Sequence, residues 1–242
     1  MSSKKDTLIW SEEFSRQKID QKIWSFEEGY IRNNEKQYYT KNRSENCRIE
    51  NGNLIIEARK EQQNGFNYTS ASLTTKHKKS FLYGKIEVKA RLPFGRGVWP
   101  AIWLLGEDID DIGWPLCGEI DIMEHVGYDP NVIHANVHTQ AYNHILETNK
   151  GNCIINHSLD NEFHIYSIDW CPDKIDFFFD GVKYFTFQND HKGNIESWPF
   201  NKPHYLIINL AIGGFWGGKK GVDNTIFPQI FSVNSINYFS TT

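Results

Sequence analysis

Three carboxylates fall within six residues in the string Gly118-Glu119-Ile120-Asp121-Ile122-Met123-Glu124-His125. Acids this close repel one another unless their surroundings manage the protons, and crowding raises one acid's pKa while another stays ionised. Two carboxyl groups poised in that way can donate a proton and attack a carbon in one step. An α-helix would not serve, because positions five apart lie about 140° around its axis and Glu119 and Glu124 would diverge. On a regular strand Glu119 and Asp121 share a face and Glu124 points to the opposite one. One extra residue after Asp121, a β-bulge, shifts the parity and brings Glu124 round to the other two. The plainer alternative is a half-solvated strand whose polar face happens to be acidic.

Several stretches are placed to surround such a strand. In Trp99-Pro100-Ala101-Ile102-Trp103 the two indoles are an even number apart and share a face of an extended segment. Pro100 lacks a ladder donor, which argues against a central, fully paired position. Val132 to His138 alternates and groups His134, Asn136 and His138 opposite Ile133, Ala135 and Val137. Beside the acidic strand, that segment would turn a histidine toward the carboxylates; a structural hydrogen bond is the competing role for such a histidine. The loop from Asn33 to Tyr39 is polar and aromatic without a period, and reads either as a carrier of site residues or as ordinary surface. Gly213-Gly214-Phe215-Trp216-Gly217-Gly218 allows a tight loop with an exposed ring.

The rest of the chain supplies short strands. Lys85 to Leu92 alternates strictly, Asn51-Gly52 supplies the two positive φ angles of a type I′ hairpin turn between Cys47 and Glu57, and Phe177-Phe178-Phe179 reads as a strand buried on both sides. About a dozen such segments, with almost no helical periodicity, predict an all-β fold: one domain over residues 1–242, a sandwich of two antiparallel sheets. Aromatic residues make up 14% of the chain, with eight tryptophans. Most of these rings suit a sandwich interior, and the surplus suits platforms for flat sugar faces.

Charge and cysteine usage exclude other classes. A net charge of −4 and no basic stripe beyond Lys76-His77-Lys78-Lys79, which reads as a solvated turn, argue against a nucleic-acid partner. Cys47, Cys117, Cys153 and Cys171 are scattered without the paired spacing of a zinc site, and their pairing is not legible. No apolar run reaches the roughly 18 residues of a membrane span, so no membrane partner is expected. The opening residues do not lead into the apolar core of a signal peptide.

Taken in order, the residues resemble glycoside hydrolase family 16, nearest its bacterial laminarinases, the endo-β-1,3-glucanases. The likeness covers nearly the whole chain. It starts at Glu13-Phe14, Asn34-Glu35, Tyr38-Tyr39-Thr40, Asn51-Gly52 and Tyr83 to Val88, and passes through Trp99 to Trp103, Trp114-Pro115 and Gly118 to Glu124. It closes with Val137-His138, Asn209 to Gly214 and Phe227-Pro228-Gln229. The resemblance implies a jelly roll of the concanavalin A-like type whose concave sheet holds a β-glucan polysaccharide. It implies Glu119 as nucleophile, Glu124 as acid/base and Asp121 between them, in a retaining mechanism with carboxyls roughly 5 to 5.5 Å apart. It also implies substrate contacts from Asn34, Trp99, Trp103 and His138, with Trp114 and Trp216 at the cleft rim.

The likeness implies no catalytic cofactor. It does imply a structural calcium on Glu13, the carbonyl of Gly52 and a position held here by Asn234, where relatives carry aspartate; that exchange predicts weak binding or none. Rival expectations are a mixed-linkage β-1,3-1,4-glucanase, a marine-galactan hydrolase or a transglycosylase on the same scaffold, and a non-catalytic glycan-binding jelly roll. Retention of both glutamates argues against the last. A polymer substrate does not cross membranes, so the expected setting is secreted or periplasmic, and the expected state is a monomer.

Overall fold

The computed structural model describes residues 6–157, 159 and 162–240. In chain order its first strands are β1 (Thr7–Glu12), β2 (Ser25–Phe26), β3 (Gln37–Tyr39), β4 (Cys47–Glu50), β5 (Asn53–Gln63), β6 (Phe66–Ser70), β7 (Ser72–Thr74), β8 (Ser80–Phe81) and β9 (Gly84–Arg91). Then follow β10 (Val98–Gly106), the four-residue helix α1 (Ile109–Ile112), β11 (Glu119–Glu124), β12 (Val132–His138), β13 (Lys150–Ile155), β14 (His164–Cys171), β15 (Lys174–Phe179), β16 (Val182–Gln188), β17 (His204–Ile212) and β18 (Gln229–Ser240).

These strands form two sheets. The ten-stranded sheet runs β16-β15-β14-β9-β18-β5-β6-β3, with β1 on β18 and β4 on β5. The eight-stranded sheet runs β13-β12-β11-β10-β17-β7-β2, with β8 on β17. Pairing is antiparallel, as expected, with one parallel pair between β3 and β6.

Local chemistry explains the strands. In β9 the inward Ile86, Val88 and Ala90 alternate with Lys85, Glu87 and Lys89, so one face reaches the core. The β4–β5 hairpin turns on Asn51 (φ 52°) and Gly52 (φ 71°), both in the left-handed region as a type I′ turn requires. Between the sheets, Ile56, Val88, Phe231 and Ile236 of one layer share a core with Ile102, Ile120, Ile133, Leu206 and Ile208 of the other. Each such side chain contributes on the order of 1.5–3 kcal/mol by leaving water. Most of the large rings serve this interior: Trp24, Phe81, Tyr166, Trp170, Phe177 and Phe200 are fully buried.

Three expectations need correction. Phe177 and Phe179 are buried but Phe178 is only half-buried, because β15 lies near the edge of the ten-stranded sheet and has a core on one side alone. Pro100 does sit in a central strand, between β11 and β17. Its carbonyl accepts from His125 N, just past the end of β11, so its missing donor falls where that neighbour's ladder stops. The Lys76–Lys79 turn is more than solvated: Lys76 pairs with Asp110, and the Lys78 ammonium donates to the carbonyls of Gln21 and Trp24.

Candidate active site

Strand β11 carries the acids, and its pairing shows how. Against β10, Ile102 pairs with Met123 and Trp103 with Asp121; against β12, Asp121 pairs with Asn136 and Glu124 with His134. Both registers slip by one after Asp121, so Ile122 is the inserted residue. Ile122 and Met123 both turn into the inter-sheet core, while Glu119, Asp121 and Glu124 open on the same cleft. A bulge lets two consecutive apolar side chains face inward and returns the next residue to the outer face.

The cleft, about 800 Å³, lies on the outer face of the eight-stranded sheet. Its floor is a small apolar cluster of Ala101, Trp103, Leu105, Tyr205 and Ile207 with Cys117, so β10 and β17 are buried on both faces. Each acid is held differently. Trp114 Nε1 donates to Glu119 Oε2 at 2.7 Å, and His138 Nε2 stands 3.8 Å from Glu119 Oε1. Glu124 receives one N–H on each oxygen, from Trp99 Nε1 at 3.0 Å and from Asn136 Nδ2 at 2.9 Å. Asp121 lies deepest. Its Oδ2 is 3.3 Å from His138 Nε2 but out of line for a hydrogen bond, and that oxygen has no other partner.

Burial pushes the Asp121 carboxyl well above the ordinary range, and the charges of Glu119 and Glu124 push in the same direction. Burial also raises Glu124, against the hydrogen bond from Asn136 and the nearby His138. No arginine or lysine is paired with any of the three acids among the described residues. Asp121 and Glu124 therefore hold their protons more tightly than isolated carboxyls do.

A second polar chain braces the floor. Trp103 Nε1 donates to Asn209 Oδ1 at 2.8 Å, Asn209 Nδ2 to the Tyr39 hydroxyl at 3.0 Å, and that hydroxyl to Glu35 Oε2 at 3.1 Å. The Arg32 guanidinium lies 4.9 Å from the Trp103 ring centre and pairs with Glu27, which also accepts from Ser72. Burial raises the Glu35 carboxyl, with Arg32 opposing.

Of the residues expected at the site, Glu119, Asp121, Glu124, Trp99, Trp103, Trp114, His138 and Trp216 all line the cleft. Trp114 touches the Glu119 carboxylate directly, closer in than a rim position, and Trp216 stands edge-on to Trp99 at 5.7 Å and to His134 at 4.8 Å. Trp103 is 7% exposed and serves as floor. Asn34 is exposed and outside the lining; its neighbours Asn33 and Glu35 take that place. Sequence reasoning misses Arg32, Glu35, Asn136, His144 and Phe215 as site residues. The alternation of Val132 to His138 carries the signal for Asn136, and the glycine-rich loop that for Phe215, whose ring is 71% exposed.

The four cysteines are free thiols. Glu119, Asp121 and His138 offer ligand atoms within 4.8 Å of one another, but these are the groups that proton chemistry uses. At the expected calcium position Glu13 is exposed, Gly52 caps the β4–β5 turn, and the Asn234 amide donates to Asn53 Oδ1 at 3.1 Å. One carboxylate among neutral oxygens does not fit a cation that takes six to eight oxygens and favours charged ones.

Known proteins place this geometry. The chain is 46% identical to a β-glucanase of Rhodothermus marinus, over 96% of this chain and 84% of that protein. It superposes on the crystal structure of the laminarinase from Rhodothermus marinus with a TM-score of 0.95 at 43% identity, covering 99% of both chains. It superposes on SCLam, a non-specific endo-β-1,3(4)-glucanase, with a TM-score of 0.93 at 44% identity, covering 98% of this chain and 92% of that one. The model of the glycosyl hydrolases family 16 matches residues 34–227. A bulged strand presenting three acids to an aromatic-lined cleft, on a sandwich shared with these enzymes, makes the chain a member of glycosyl hydrolase family 16.

Proposed function

We propose that the enzyme hydrolyses internal β-1,3-glucosidic bonds of β-glucans such as laminarin, with retention of configuration. The observation that carries this reading is the one-residue bulge in β11, which sets Glu119 and Glu124 on one face. Glu124, whose burial favours the protonated form, gives its proton to the leaving glycosidic oxygen as Glu119 attacks the anomeric carbon; the C–O bond to the leaving sugar breaks as the glycosyl ester forms. Esterification removes the Glu119 charge that had helped to raise Glu124, so the proton affinity of Glu124 falls just when it must act as base. Glu124 then takes a proton from water, the hydroxide attacks the same carbon, and Glu119 departs. Asp121 orients Glu119 and shares the cluster's proton. Trp99 and Trp216 supply sugar platforms.

The likeness to a non-specific endo-β-1,3(4)-glucanase supports a second reading, in which mixed-linkage glucans are also cut. Product profiles on laminarin and lichenan separate the two, and no release from laminarin would overturn the first. Glu119→Gln should fold normally and lose hydrolysis; undiminished turnover would remove Glu119 from its role. The enzyme works as a monomer outside the cytoplasm, where its polymer is, needs no cofactor, and holds calcium weakly or not at all.

A further inference from the structure

We infer that Asn136, kept in register by the missing side chain at Gly151, is a positioning residue that aims the Glu124 carboxyl and sets when it releases its proton. This rests on the acid/base reading of Glu124 above.

The geometry is specific to strands β12 and β13. Asn136 stands between Asp121 on one neighbour and Gly151 on the other. Its amide is committed at both ends: Nδ2 donates to Glu124 Oε2 at 2.9 Å, and Oδ1 accepts from Asn149 Nδ2 at 3.2 Å. The second contact fixes which end of the amide meets Glu124, because a flipped amide would set oxygen against oxygen. Gly151 supplies the room. A Cβ there would lie 2.3 Å from Asn136 Oδ1 and 2.5 Å from the Ala135 carbonyl. Its φ is outside the left-handed region, so clearance, not backbone conformation, is what glycine provides at this position.

A donor on a carboxylate favours its ionised form, and Asn136 thus opposes the burial that holds the proton on Glu124. The same group must lose that proton in the first step and take one in the second, so neither influence can run unopposed. The other groups facing Glu124 are Glu119 and Asp121 on its own strand and His134 and His138 on β12; β10 adds only the Trp99 donor. Glu35 and Arg32 enter the cleft from the loop before β3, His144 from the loop between β12 and β13, and Lys219 from the loop after β17.

The test is the pH dependence of kcat/KM on a soluble β-1,3-glucan for the wild type, Asn136→Ala, Gly151→Ala and the double variant, with Glu124→Gln alongside. Asn136→Ala should move the alkaline limb upward by about one pH unit and lower kcat about tenfold, the effect of losing one hydrogen bond to a charged group. Gly151→Ala should move the limb in the same direction by less, and the shifts of the limb should be non-additive because both reach Glu124 through one amide, while the contact with the Ala135 carbonyl bears on the fold alone. A folded Asn136→Ala enzyme with the wild-type limb and kcat overturns the inference, whether or not Gly151→Ala folds. A folded Gly151→Ala enzyme with a wild-type limb removes Gly151 from it. If Glu124→Gln keeps activity, the acid/base reading itself falls; if it is inactive while Asn136→Ala behaves as wild type, only this inference falls.

Discussion

The two sheets each bury acidic side chains, and they treat them in opposite ways. On the outer face of the ten-stranded sheet, Glu57 is 5% exposed yet meets two guanidiniums, Arg48 at 2.9 Å and Arg59. Its neighbour Glu61 takes both nitrogens of Arg43, at 2.6 and 3.2 Å, and the hydrogen bond from Arg43 holds its carboxyl below the usual range. In the cleft of the eight-stranded sheet, Asp121 and Glu124 are as deeply buried and meet only neutral N–H donors and a histidine. The first arrangement fixes charge and the second leaves the proton free to move. Burial does not separate these two sets of acids; pairing with a guanidinium does.

This contrast can be broken at the cleft first. Glu124→Gln should lower kcat/KM by about 10³ or more, within the range that loss of an acid/base group produces, read as reducing ends released per minute. Next, Asp121→Asn should cost less turnover, about 10- to 100-fold, and should gain stability. The sign follows from linkage: a carboxyl whose folded pKa is raised makes the fold less stable as pH climbs from its unfolded value near 4 through the raised one. A neutral amide in its place carries no such loss, so urea denaturation should find the variant more stable than wild type at pH 8 and equal to it below about pH 4. A variant less stable at both pH values would contradict the proton assignment. The smallest effect belongs to the paired face. Arg43→Met should cost at most about 1 kcal/mol at pH 7, because the pair is partly exposed. Glu61 has a depressed pKa, so that contribution is present above about pH 4.3 and disappears as pH falls below it. Activity should be unchanged.

Much of the cleft can be read from the chain because strands print their facing on the sequence. Parity asks for a bulge after Asp121 once the three acids are to share a face, and the alternation of Val132 to His138 groups the residues that face the acids. What escapes lies where parity gives no guide. Asn33 and Asn34 both take left-handed φ angles, 59° and 54°, so the loop has no period to say which amide enters the cleft. The role of Asn136 depends on Asn149 and Gly151, which lie on or beside a strand whose first four residues are exposed and which has no apolar pattern to announce it. Pro100 misleads because a missing donor matters only where a neighbouring strand still runs.

The bulge at Ile122 also gives the gene an uneven tolerance to changes of length. Losing the codon for Ile122 would leave Glu119, Asp121 and Glu124 at alternate positions of an ordinary strand, with Met123 alone facing the core and all three acids still outward. Gaining a codon there leaves two poor choices. If one bulge absorbs a single residue, Glu124 turns into the hydrophobic interior. If the strand straightens instead, Glu124 faces outward again but slides two positions, roughly 7 Å, past the partners that hold it. An in-frame deletion at this point should therefore yield an enzyme with residual β-glucanase activity, and an in-frame alanine insertion an inactive one.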